Sequence, residues 1–271
     1  MKSINNMNKI KISHEVPFCL LEEGLKYSDY QYCLPHLMEE NEAYRNFFLK
    51  CKEDGVEIYL DNSLHELGYA MEDEILIKWM NILEPSTFFI PDAWEDAETS
   101  IVNAKRWASI EVPANTTKCA VVQATNFKGA IDCALKYLSL GYEKIAFSYG
   151  AAYYNNVCPH PNQDFGKAMG RYMVVKHFND LMLQKAIFPR IHLLGTSWPA
   201  EFGMYKNISS IESIDTSNPI MAAIGELIYS NMGLTSKPVA NMNKYQDVSI
   251  DFINVDLVEY NVDMFRKING L

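Results

Sequence analysis

Apolar positions along the chain follow two alternating periods. Short runs of β-branched and aromatic residues are each followed by longer stretches in which apolar side chains recur every three or four positions. The short runs predict strands at Asp29–Leu34 (DYQYCL), Val56–Leu60 (VEIYL), Thr87–Pro91 (TFFIP), Lys118–Val122, Lys144–Ser148, Ile191–Leu194 and Ser210–Ile214. The longer periods predict helices at Glu39–Lys52, Met71–Leu83, Glu95–Ala108, Phe127–Leu140 (closed by Gly141), Phe165–Lys185, Ile220–Tyr229 and Val255–Ile268. Tyr153–Gln163 and Asn231–Gln246 read as irregular. Met1–Ile12 reads as a polar, frayed tail or an edge strand, and Val248–Ile253 is the candidate for an eighth strand.

Strands alternating with helices define an α/β protein with a parallel sheet. No linker or change of composition divides the 271 residues, and their length suits one TIM-like (β/α)8 barrel, for which ~250 residues are typical. The expected organisation is therefore a single barrel domain over 1–271.

The strand ends carry the chemistry. Asp61, Asp92 and Gln123 stand 31 residues apart in turn, one βα repeat each, which places them side by side on one rim of such a barrel. Ser148, Gly195 and Asp215 end later strands. Arg190–Pro219 reads as a βαβ unit in which Gly195 permits close approach to the backbone and Asp215 stands at a strand's C-terminal end, where parallel barrels place their active sites. Three readings fit this rim. Paired carboxylates suit glycosyl chemistry, one attacking an anomeric carbon and the other handling a proton. Converging carboxylates also suit a metal, although the six histidines form no H-x-H or H-E-x-x-H. Alternatively these side chains cap strands and turns, as Asp-Thr-Ser-Asn-Pro after the last strand would do well.

Charge and cysteine content narrow the partners. Twenty-four Lys and Arg against 34 Asp and Glu give a formal charge of −10, so any nucleic-acid surface has to be a local basic patch. Lys167, Arg171, Lys176, Lys185 and Arg190 form the candidate for it, against the alternative of a solvated helix face. The six cysteines are scattered without C-x-x-C, which predicts buried thiols and neither disulfides nor a zinc site. Without a signal-peptide pattern or an apolar run near ~20 residues, the expectation is a soluble, intracellular protein that does not engage membranes.

LDNSLHELG (60–68), FIPDAWEDAETS (89–100), VVQATNFKGAIDCAL (121–135), AFSYGA (146–151) and IHLLGTSWPAEF with SIDTSNP (191–219) resemble the tRNA-guanine transglycosylase superfamily. They resemble most its short phage-encoded branch, linked to inserting 7-deazaguanines into DNA. The resemblance spans about Tyr27 to Ile228. It implies base exchange without a cofactor: guanine in DNA is displaced, and a free 7-deazaguanine such as 7-cyano-7-deazaguanine enters, in the cytoplasm of the host cell. Asp215 matches the aspartate that attacks C1′ and holds a covalent glycosyl-enzyme, and Asp61 the aspartate assigned proton transfer. Asp92 matches the reader of the guanine-like N1–H and amine. Gln123 and the Ser148-Tyr149-Gly150 backbone match groups facing O6 and the 7-substituent, with Gly195 beside them. Leu194 and His65 stand where side chains cover the two base faces.

Two departures bear on this. The family's tRNA enzymes carry a C-x-C-x2-C…H zinc module after the nucleophile, which this sequence lacks, so no metal is expected and DNA is favoured over tRNA. Asn62-Ser63-Leu64-His65 replaces a glycine-rich segment. A zinc-free tRNA enzyme, or an idle barrel serving as a DNA-binding or scaffold subunit, are the competing expectations. The oligomeric state is open.

Overall fold

The computed structural model describes residues 9–234 and 245–271. Its eight strands are β1 (Lys11–Ser13), β2 (Gln31–Cys33), β3 (Ile58–Leu60), β4 (Thr87–Phe89), β5 (Thr117–Val122), β6 (Lys144–Ser148), β7 (Arg190–Leu194) and β8 (Ile211–Asp215). All neighbouring pairs are parallel, in the order β1-β8-β7-β6-β5-β4-β3-β2. Between the two end strands, the amide of Asp29 donates to the Ile12 carbonyl at 2.7 Å and its carboxylate accepts from the Ile12 amide at 3.0 Å. That aspartate stitches the nearly closed TIM-like barrel where β1 and β2 themselves do not pair.

Lys11–Ser13 is an end strand of the sheet, paired with β8 alone, which decides for the edge strand over the frayed tail in that segment. Residues 1–8 of that tail lie outside the described residues. The expected strand at Val248–Ile253 is instead a 3-10 turn, Ile250–Phe252, with the Ser249 side chain accepting from the Asp251 amide. The place beside β8 is already filled by β1. Of the expected irregular stretch Asn231–Gln246, residues 235–244 lie outside the described residues.

Helices cover the outside. Glu39–Lys52 is broken at Asn41, whose side chain caps α3 (Glu42–Glu53) by accepting from Tyr44, behind a short α2 (Pro35–Glu40). The expected helix Ile220–Tyr229 runs from Asn218 to Ile224, with Pro219 in its first turn. The expected loop Tyr153–Gln163 contains a helical turn, Tyr154–Val157. On the helix Asp73–Leu83 the spacing of Ile75, Trp79, Ile82 and Leu83 predicts the inner face; the buried stripe is Leu76, Trp79, Met80 and Leu83, each such side chain contributing ~1.5–3 kcal/mol, and Ile82 is exposed.

The barrel interior is aromatic and holds one buried cation. Tyr30 stacks on Tyr59 with centroids 3.9 Å apart, and Phe89 packs edge-on against His192 at 5.0 Å. Lys144 is fully buried; its Nζ donates to Tyr59 Oη and Thr87 Oγ1 at 3.0 Å each and pairs with Glu212 at 3.2 Å. The β7–β8 register skips Glu212, since Ile191 pairs with Ile211 but His192 with Ser213. A bulge of this kind re-aims side chains locally, and beyond it Ser213 and Asp215 share one face of β8.

Candidate active site

The ends of β3, β4, β5, β6, β7 and β8 meet at one cavity of about 400 Å³, a size suited to a small organic ligand. Asp61, His65, Asp92, Gln123, Ser148, Tyr149, Leu194, Gly195 and Asp215 all line it. Gly150 does not. It lies behind Ser148, its amide donating to Ser148 Oγ at 3.2 Å, with the Trp94 ring packed where a Cβ would stand.

Asp61 is fixed by the turn that follows β3. Its Oδ2 accepts from the Ser63 amide at 3.1 Å, with Ser63 in the left-handed region at φ 63°, and its Oδ1 accepts from Tyr32 Oη at 3.0 Å. Burial pushes this carboxyl up to about 6, the hydrogen bonds holding it lower than burial alone would.

Asp92 is held more tightly. Asn62 Nδ2 donates to Oδ1 at 2.7 Å and Gln123 Nε2 to Oδ2 at 2.6 Å. Burial nonetheless pushes it up to about 7. The cap of the following helix, Ala97–Ala108, is Asp96, which accepts from the Thr99 amide. Asp92 is thereby left to the cavity.

Asp215 receives His192 Nε2 at 2.9 Å on Oδ1 and the Gly195 amide at 3.3 Å on Oδ2. Gly195 sits at φ +60°, and a Cβ there would lie 2.4 Å from the Tyr149 ring, so both backbone and packing require glycine. The ring of His65 lies 5.9 Å from Trp94 and 6.3 Å from Tyr149, forming an aromatic rim.

The proposed basic strip does not hold together. Arg171 is fully buried: Nε donates to Glu201 Oε1 at 2.6 Å, Nη1 to the Phe147 and Leu194 carbonyls, and Nη2 to the Gly195 carbonyl. It ties the ends of β6 and β7 together and cannot meet a phosphate. Lys176, exposed midway along α9 (the helix Gln163–Gln184), pairs with Asp180. Lys185 follows the end of α9, and Arg190 opens β7 beside Glu212, both on the rim opposite the cavity. Lys167, in the early turns of α9, is the one of the five that lies toward the mouth without being fully buried. Among the described residues, the cavity is lined by six carboxyl groups (Glu15, Asp61, Glu66, Asp92, Asp164, Asp215) and by no lysine or arginine.

His192, Asn62, Tyr32, Trp94 and Glu66 belong to the site but were not read from the sequence as part of it. His192 shares the parity of Leu194 on β7, which is the signal that could have found it. Glu66 stands one residue after His65; its Oε2 is buried without a hydrogen-bond partner, and burial, followed by Asp61 and Glu15, holds it well above the usual carboxylate range.

Among the described residues, no three His, Cys, Asp or Glu side chains are grouped to hold a metal ion, and no helix is long and apolar enough to cross a membrane. All six cysteines are free thiols, four of them buried.

Fold and site thus define a parallel (β/α)8 barrel with a carboxylate-rich cavity at the C-terminal mouth. The sequence matches no protein-family model, and no curated protein is similar to it at a significant level.

Proposed function

We propose that this chain is a base-exchange transglycosylase that replaces guanine in DNA with a free 7-deazaguanine derivative through a covalent aspartyl-glycosyl intermediate. The observation that carries the reading is the division of labour among three carboxyl groups around one cavity. Asp215 receives two hydrogen-bond donors, Asp61 keeps its proton up to about pH 6, and Asp92 is fixed between two amides.

In the first half-reaction an oxygen of Asp215 bonds to C1′ as the C1′–N9 bond breaks. The electron pair leaves with the guanine, and protonated Asp61 supplies the proton that neutralises it. In the second half, the incoming base gives its N9 proton to Asp61, N9 bonds to C1′, and the ester bond breaks to restore the carboxylate. Asp92 accepts from N1–H and the exocyclic amine, and the second amide hydrogen of Gln123 is available to O6. A purine lacking these donors leaves buried polar groups unpaired, which is strong discrimination. A base within duplex DNA has to be flipped out to reach such a cavity.

A second reading is favoured by the acidic mouth. Six carboxyl groups line the cavity, and none of its described lining residues is a lysine or arginine; that charge disfavours a nearby phosphodiester and supports exchange on a free nucleoside by the same chemistry. The experiment is transfer of radiolabelled guanine into DNA, tRNA and free guanosine or deoxyguanosine. Label in DNA upholds the first reading. Label in nucleoside alone upholds the second, and label in tRNA makes it a zinc-free tRNA enzyme. DNA binding without incorporation into any of them indicates an idle barrel.

A further inference from the structure

We propose that His192 is the positioning residue of the site: fixed as the Nε2–H tautomer, it ties down Oδ1 of Asp215 and leaves Oδ2 as the attacking oxygen. The inference rests on the reading of Asp215 as nucleophile.

His192 is fully buried, and each ring nitrogen has one partner: Ser213 Oγ at 2.9 Å from Nδ1, and Asp215 Oδ1 at 2.9 Å from Nε2. A carboxylate can only accept, whereas a hydroxyl can also donate. For a neutral ring one arrangement satisfies every group: Nε2–H donates to Oδ1, and the Ser213 hydroxyl donates to Nδ1. The charged groups acting on the ring are Lys144 on β6, Glu212 and Asp215 on β8, and Arg171 on α9. Burial first, and then the Lys144 ammonium, hold the imidazole well below its ordinary range and therefore neutral.

Direction follows from packing. The imidazole lies among the interior rings, 5.0 Å from Phe89, 5.9 Å from Tyr59 and 6.4 Å from Tyr32. Oδ1 is therefore held toward the barrel interior. The Gly195 amide reaches Oδ2 at 3.3 Å, longer than the usual N–H···O distance and longer than the 2.9 Å from His192 Nε2 to Oδ1, so Oδ1 is the more firmly held of the two oxygens. As Oδ2 bonds to C1′ and the C1′–N9 electron pair departs with the base, Oδ1 becomes the ester carbonyl and keeps its bond from Nε2–H. No proton leaves His192 in either half-reaction. Its contribution is orientation, of the kind in which a small misplacement costs ~10²-fold in rate.

Two substitutions test this. His192→Phe fills the aromatic space and deletes the donor; His192→Gln places an amide nitrogen near the position of Nε2. Long-range ¹H–¹⁵N spectra of native protein should show one Nε2–H tautomer from pH 5 to 9. In His192→Phe, kcat should fall ~10²-fold with KM for the base within twofold. The ¹³C carboxyl midpoint of Asp215 should move up by about one pH unit. His192→Gln should restore kcat to within about tenfold of native. A protonated ring, an Nδ1–H tautomer, or a His192→Phe variant whose Asp215 carboxyl midpoint is unmoved would overturn the inference while leaving base exchange standing. Absence of exchange by native protein on every donor would bring down the transglycosylase reading and the Oδ2 attack with it.

Discussion

Gln123 and Asp92, end residues of adjacent barrel segments, are joined by a 2.6 Å hydrogen bond from Nε2 to Oδ2. The amide cannot turn over cheaply, because its Oε1 accepts from the Glu95 amide at 2.8 Å. Asn62, on the other oxygen, is equally committed: its Oδ1 accepts from the Leu64 amide at 2.9 Å. Asp92 therefore has to be an acceptor on both sides. Asp92→Asn should lower thermal stability although it removes a buried charge, because its NH2 meets an N–H donor, a clash worth ~1–3 kcal/mol. Calorimetry of the variant checks this, and a raised Tm would contradict it.

The protonation of Asp92 gives a signature in base binding. With the carboxyl pushed up to about 7, the acceptor form disappears as pH falls below that value. KM for the incoming base should be flat above about pH 8 and should rise toward about tenfold per pH unit well below 7. A pH series of exchange kinetics measures it, and a KM constant from pH 8 to 5.5 would remove Asp92 from base recognition.

Asp61 should behave oppositely to Asp92 on substitution. An asparagine there can accept from Ser63 and donate to the Tyr32 hydroxyl, so both bonds survive. The folded carboxyl holds its proton more tightly than the unfolded one, at about 6 against 3.8. Its favourable contribution is fully present below about pH 4 and is lost as pH rises through about 6. Asp61→Asn should therefore stabilise the fold by ~1–3 kcal/mol at pH 8 and by little at pH 4, while turnover falls ~10²–10⁴-fold. Denaturant melts at the two pH values read the difference.

Asp215→Asn keeps the shape beside His192 and Gly195 but cannot attack C1′, so base exchange should vanish; its NH2 must face one of those two N–H donors, so stability should fall by ~1–3 kcal/mol, as in Asp92→Asn. Asp215→Ala should be equally inactive and less stable by ~1–3 kcal/mol, since the buried His192 N–H loses its partner. Native protein mixed with DNA and denatured before any free base is added should yield a protein–DNA adduct. The adduct should disappear when 7-deazaguanine precedes the quench. Full turnover by Asp215→Ala would transfer the nucleophile's role to Asp61 or Asp92.

Arg171→Met should act through stability. Removing the guanidinium strands Glu201, fully buried, and frees three strand-end carbonyls, a loss of ~3–5 kcal/mol. Lys185→Ala and Arg190→Ala, on the far rim, should leave exchange and its salt dependence unaltered. A selective loss of DNA affinity in either would reverse this placement.

How much of this was legible in the sequence depends on the range of the interaction concerned. Periodicity gave seven of the eight strands, the alternation that makes a parallel barrel, and the phase that places Asp61, Asp92 and Gln123 on one rim, because these depend on local geometry and a regular repeat. Three things were decided only in three dimensions. The pattern left Met1–Ile12 between a frayed tail and an edge strand, and only the pairing of Lys11–Ser13 with β8 decides between them. Arg171 and the exposed lysines of α9 look alike in a list of charges, and only the packing of α9 against the ends of β6 and β7 puts the guanidinium inside. The contact of His192 with Asp215 depends on a bulge that skips Glu212 and on a buried ring whose two nitrogens are satisfied by different residues. Such choices are made by burial and hydrogen-bond satisfaction across strands, which no window along the chain contains.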